Sequence, residues 1–297
     1  MTRLTQMLGT VATLAASAGF CAAATAATVY ANGAAPGDAF TNATAINQGQ
    51  AVGGTGWYYN NVRNGGSVGV STSYARSGNG SVAFSGTAGP GGASYKADVE
   101  YLAGGVSVGG NYYASSSLGL FSSFLGMSYD WYRSSGSSNS PVQHPALRIL
   151  LDRDGNLATT NDRGGLVFER TYNVAGSAPT DAWVSDMVGG SSKLWNFGLG
   201  LGKNEFDIDA DGTPYDTLDE WQDSELLQSA VILGFSAGVG SGWGPFQGAV
   251  DNISWTIGEV RTTSNFEVQT SEVPEPATLA LLGLSLAALA ASRRRKG

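Results

Sequence analysis

The chain has 297 residues, 43 of them glycine, about twice the usual share, and little Lys or Glu; this composition disfavours long helices and favours turns and close strand packing. Five of its 16 basic residues (Arg3, Arg293, Arg294, Arg295, Lys296) lie in the terminal segments, while no acidic residue precedes Asp38 or follows Glu275. The middle therefore carries 11 basic against 24 acidic residues, a net charge of −13 that repels polyanions and argues against nucleic acid as a partner.

Residues 1–27 have the pattern of a secretory signal peptide: Arg3 in a short basic region, an apolar stretch from Met7 to Cys21, then small residues from Ala22 to Ala27. Cleavage is expected after Ala24, Ala26 or Ala27. Phe20 precedes Cys21 where lipoprotein processing needs a small residue, and removal of Cys21 leaves a mature chain without thiol or disulfide.

Residues 28–262 are expected to form one all-β ectodomain, an antiparallel β-sandwich of jelly-roll type with one short helix. Its first clear strand alternates Tyr95, Ala97, Val99 and Tyr101 with Ser94, Lys96, Asp98 and Glu100, the second set on the solvent face. Similar alternation groups Val82 with Phe84; Leu125, Met127, Tyr129 and Trp131; Leu147, Ile149 and Leu151; Leu166, Phe168 and Tyr172; and Val231, Leu233, Phe235 and Val239. Turn signals such as Asn64-Gly65-Gly66, Gly89-Pro90-Gly91 and Gly189-Gly190 separate these strands, and Asp152-Arg153-Asp154-Gly155-Asn156 has the composition of a plain hairpin turn.

Asp207-Ile208-Asp209-Ala210-Asp211-Gly212 places alternate carboxylates at the spacing with which oxygens converge on calcium, and its start resembles an EF-hand loop. The twelfth position is Leu218 rather than Glu, so Asp216, Asp219 or Glu220 would have to supply a late oxygen; the competing reading is a strand ending in an Asp-Gly turn. Thr217-Leu218-Asp219-Glu220 forms a capping box that predicts a short helix running toward Trp221, Leu226 and Leu227.

The last predicted strand, Gly248 to Ile257, puts Ile253, Trp255 and Ile257 on one face with Asp251 at the same parity. A carboxylate at the core edge needs an Arg, a backbone partner or a cation. The Val250-Asp251-Asn252-Ile253 segment resembles the closing strand of jelly-roll carbohydrate-binding modules, and that resemblance implies a structural calcium at Asp251.

After a polar linker, residues 263–273, Val273-Pro274-Glu275-Pro276 is followed by an apolar run from Ala277 to Ala291 and by Arg293, Arg294, Arg295 and Lys296. As a helix the run is about 22 Å long, a marginal membrane span, and the basic cluster after it should stay in the cytoplasm with the ectodomain outside. Residues 274–297 resemble the PEP-CTERM sorting signal. The resemblance implies recognition by an exosortase-type enzyme, a membrane intermediate anchored through the C-terminal helix, and delivery to the cell surface or an exopolysaccharide matrix.

No catalytic constellation stands out. Gly234-Phe235-Ser236-Ala237-Gly238 fits a nucleophile elbow in letters, but a Gly-rich stretch follows it and the one histidine, His144, precedes it. Trp57-Tyr58-Tyr59, Trp131-Tyr132, Trp183 and Trp243 belong either to the core or to a sugar-stacking surface. Trp243, between glycines, is the strongest glycan-binding candidate, with Trp57 and Tyr58 beside it. The expected function is a non-catalytic exported surface or matrix protein that binds glycan and carries structural calcium at Asp207, Asp209, Asp211 and Asp251; the alternative is an envelope glycosidase or lyase.

Overall fold

A computed structural model describes residues 23–87, 93–202 and 206–269, the first three by their backbone alone. The calls on the leader before Ala23, on Gly89-Pro90-Gly91 and on the tail from Val273 to Arg295 lie outside the described residues. Among the described residues no helix is long and apolar enough to cross a membrane.

Two eight-stranded sheets face each other across one apolar core. In sheet A the central strand is β17 (Phe246–Ile257). Along one edge of β17 runs β10 (Phe124–Arg133), with β13 (Trp183–Val188) outside it. Its other edge is shared: β6 (Ser81–Gly86) pairs with the first half and β18 (Val260–Gln269) with the second. β5 (Gly66–Ser71) and β2 (Phe40–Asn42) extend the sheet beyond β6, and β1 (Ala23–Ala34) lies beyond β18. Sheet B has the order β15 (Asp216–Thr217), β14 (Lys193–Gly198), β12 (Arg163–Phe168), β11 (Ala146–Asp152), β16 (Val231–Gly240), β7 (Lys96–Leu102), β4 (Trp57–Arg63) and β3 (Gln48–Val52). A separate hairpin, β8 (Val106–Val108) and β9 (Asn111–Tyr113), turns through Gly109 and Gly110, both at positive φ.

Period-two alternation builds the core as expected on β7 and β11: Tyr95, Ala97, Val99, Leu147, Ile149 and Leu151 are all fully buried. Aromatic contacts knit the sheets together, Phe235 stacking on Trp255 at 4.6 Å and Trp57 meeting Phe266 edge-on at 4.9 Å. The capping box forms as read: Thr217 accepts from the Glu220 amide, Glu220 reaches back to Thr217, and α1 (Leu218–Asp223) buries Leu218 and Trp221.

The departures have local causes. A bulge between Leu150 and Leu151 inserts one extra residue into β16, so Ile232 enters the core and Leu233 turns to the outer face. A second register shift at the start of β10 leaves Leu125 65 % exposed instead of aligned with Met127. β18 continues to Gln269 and buries Phe266 and Val268, which moves the domain's end beyond the expected residue 262 and shortens the linker. The sandwich is also not wholly antiparallel, since β1 and β18 pair in parallel.

Candidate functional site

The outer face of sheet B carries a groove of about 640 Å³, lined among others by Asn60, Asn61, Asp98, Glu100, Arg148 and Trp243. Its floor is built by strand alternation: once Ala97 and Val99 face the core, Lys96, Asp98 and Glu100 must face outward, as must Arg148 between Leu147 and Ile149. A β-bulge on β4 sets two residues against one on β7, and with Asn61 at φ 54° both Asn60 and Asn61 reach these carboxylates. The expected solvent face of β7 is therefore buried, Asp98 to 1 % and Glu100 to 5 % exposure.

Asp98 pairs with Lys96 Nζ at 2.6 Å and Arg148 Nη1 at 3.0 Å. Asn61 Nδ2 donates to both Asp98 Oδ2 at 3.0 Å and Glu100 Oε1 at 2.9 Å, and Asn60 Nδ2 donates to Glu100 Oε2 at 2.6 Å. The β8–β9 hairpin is clamped over this floor, because Asn60 exchanges two hydrogen bonds with the Tyr112 backbone and Asn61 exchanges two with the Asn111 side chain.

Burial acts to raise the Asp98 carboxyl, but the ammonium of Lys96 and the guanidinium of Arg148 outweigh it and hold the group below its usual range. Glu100 is pushed up to about 7 by burial, then by repulsion from Asp98, which outweigh the Asn60 hydrogen bond and the more distant Lys96 and Arg148 charges. Burial and the nearby Arg148 lower Lys96 to about 8. The two carboxylates share one strand face, and their proton affinities are driven apart.

The aromatic candidates separate. Trp57 is buried in the core, donating Nε1 to Ser264 Oγ at 3.0 Å, so it cannot stack on a sugar. Tyr58 lies on the outer face of sheet B and stacks on Tyr112 at 4.3 Å, supporting a ring that lines the groove. Trp243 is half-buried in the groove wall, edge-on to Phe246 at 5.5 Å. Tyr172, Trp195 and Phe197, which the alternation pattern did not mark as binding residues, line the same groove.

The predicted calcium ligands lie in two places, Asp207, Asp209 and Asp211 in one loop and Asp251 on β17. Asp207 and Asp209 come together with Asp216, one carboxylate oxygen from each within 4.8 Å of the others. Of the three late residues it is Asp216 that comes beside them; its Oδ1 accepts from the Ile208 and Asp209 amides, and its buried Oδ2 has no hydrogen-bond partner among the described residues. Asp211 turns instead to Thr213, accepting from its amide and hydroxyl. Asp251 is directly opposite Asp130 on β10, because the bulge at Asn252 (φ 50°) takes it off the Ile253 and Trp255 face. There Oδ1 accepts from the Phe266 amide at 3.0 Å, and burial pushes the carboxyl up to about 6 against the lowering effect of the Phe266, Asn252 and Ser77 amides.

Neither half of the nucleophile-elbow pattern survives. Ser236 lies within β16 and contacts Arg148. His144 is buried against Trp131, bonded to Tyr129, Pro145 and the Arg170 amide, and burial lowers it to about 3, so it is a neutral structural ring.

The family model of the PEP-CTERM protein-sorting motif matches residues 272–296. The motif implies export, a membrane-associated intermediate and processing by exosortase-type machinery. No curated protein matches the chain.

Proposed function

We propose that the sandwich is a non-catalytic, exported surface or matrix protein that holds polysaccharide in the sheet B groove. The observation that carries this reading is the groove's lining: Tyr112, Tyr172, Trp195 and Trp243 supply ring faces suited to the C–H faces of sugars, beside amide, carboxylate and guanidinium groups suited to hydroxyls. Arg63, Lys96, Arg148 and Arg163 line it together with Asp98, Glu100 and Glu169, a mixed set of donors and acceptors suited to a hydroxyl-rich glycan. The Asp207, Asp209 and Asp216 cluster is assigned a structural calcium on the same reading.

Co-sedimentation of the protein with the producing organism's exopolysaccharide, with parallel measurement of released reducing ends, tests the proposal. Saturable binding without release supports it, and absence of binding refutes it.

A second reading, a polysaccharide-cleaving enzyme, draws support from one feature. Glu100 is held near neutrality beside an ionised Asp98, and both accept from the same Asn61 amide, which keeps those oxygens within about 6 Å, near the ~5–5.5 Å carboxylate spacing of retaining glycosidases. Release of reducing ends that disappears in Glu100→Gln would establish this reading over the first.

A further inference from the structure

The loop between β11 and β12 has the composition of a plain turn, yet it gathers three carboxylates. One oxygen from each of Asp152, Asp154 and Asp162 lies within 4.8 Å of the others. Calcium takes oxygen ligands at ~2.3–2.6 Å, so two ligands on opposite sides of one ion are up to ~5 Å apart, and the three oxygens fit one coordination sphere.

The hydrogen bonding leaves one oxygen on each of the two buried carboxylates unused. Asp152 Oδ2 accepts from Arg163 Nε at 3.2 Å, and Asp162 Oδ2 accepts from the Asp154 amide at 2.9 Å. Asp152 Oδ1 and Asp162 Oδ1 are buried with no hydrogen-bond partner among the described residues, on residues that are 0 % and 3 % exposed. Two orphaned carboxylate oxygens are costly unless a cation meets them. Arg163 offsets one of the three negative charges, and its other two nitrogens hold the Ala114 and Leu157 carbonyls at 3.0 Å each. A net charge of −2 remains, matched by one divalent cation, and an all-oxygen donor set without His or Cys selects a hard one.

We propose that Asp152, Asp154 and Asp162 bind calcium. The ion joins the two ends of the β11–β12 loop and fixes Arg163, which with Ala114 forms part of the groove wall. The site is independent of what the groove binds.

Calorimetric titration of the EDTA-stripped, detergent-purified full-length chain with calcium chloride tests it. Asp154 is exposed, so Asp154→Asn should leave the circular dichroism unchanged, which keeps the test open should Asp162→Asn fail to fold. The wild type should bind calcium at a site that Asp154→Asn weakens at least tenfold and that Asp216→Asn, in the other acidic cluster, leaves intact. Absence of calcium binding by the wild type, or the same stoichiometry and affinity in Asp154→Asn, overturns the assignment.

Discussion

Replacing Glu100 by Gln tests whether the groove floor holds a carboxyl against its solution preference. The folded value of about 7 lies well above the ordinary Glu value of 4.5. An acid whose folded value is raised contributes stability that is complete below about 4.5 and is lost as pH rises through 7. At ~1.36 kcal/mol per unit the loss is about 3 kcal/mol. Gln removes the titration, and it offers one carbonyl oxygen where Asn60 and Asn61 each donate to a separate carboxylate oxygen, a pH-independent cost of ~1 kcal/mol. Urea unfolding of both proteins from pH 4 to pH 9 should therefore show the variant weaker by about 1 kcal/mol in acid and stronger by about 2 kcal/mol in base. The comparison cancels titrations common to the two proteins. A stability difference that stays constant across that range refutes the account of Glu100.

Trp57→Ala should destabilise the protein by ~3–5 kcal/mol because it empties a fully buried aromatic site, measured by denaturant unfolding. Trp243→Ala should cost less stability and weaken polysaccharide co-sedimentation about tenfold, roughly the value of one aromatic contact. Asp251→Asn in EDTA should stabilise the protein above pH 6 and flatten the wild type's loss of stability between about pH 4 and 6, since a carboxyl raised to about 6 is favourable only while protonated; an unchanged pH profile contradicts this. Removing residues 272–296 should abolish exosortase-type processing, seen as loss of the cleaved form in cell fractions.

What was legible in the sequence follows from which interactions are local. The capping box needs four consecutive residues, and the buried faces of β7 and β11 need only alternation, so both could be read directly. Bulges were not visible, because an extra residue is defined against a partner strand, and two of them re-aimed a functional side chain: Asn61 on β4 and Asp251 on β17. The groove floor left two signals that alternation alone discarded. Arg148 interrupts an otherwise apolar run from Ala146 to Leu151, and a lone cation there requires an anion from another strand. Lys96, Asp98 and Glu100 recur on one strand face, a pattern that suits a solvated surface until Asn60, Asn61 and the β8–β9 hairpin cover it. Asp162 is ten residues from Asp152, and the two meet only because β11 and β12 form a hairpin, so the short-range turn pattern could not contain the site.

The parallel pairing of β1 and β18 joins the two ends of the described chain. β1 begins at Ala23, inside the expected leader; cleavage after Ala27 would leave Thr28 to Ala34, which keep Val29 and Ala31 in the core and the pairs from Thr28 with Asn265 to Ala34 with Gln269. The first strand of the domain therefore has its partner in the last, and the edge of sheet A needs residues up to Gln269 to close. β18 also supplies the amide for Asp251 and the hydroxyl for Trp57, so closing that edge satisfies two buried polar groups elsewhere in the sandwich. The sorting motif begins at residue 272, directly after this strand. The edge of sheet A is therefore completed by a strand that ends just before the motif in the chain, so the motif follows a paired strand and not an open sheet edge.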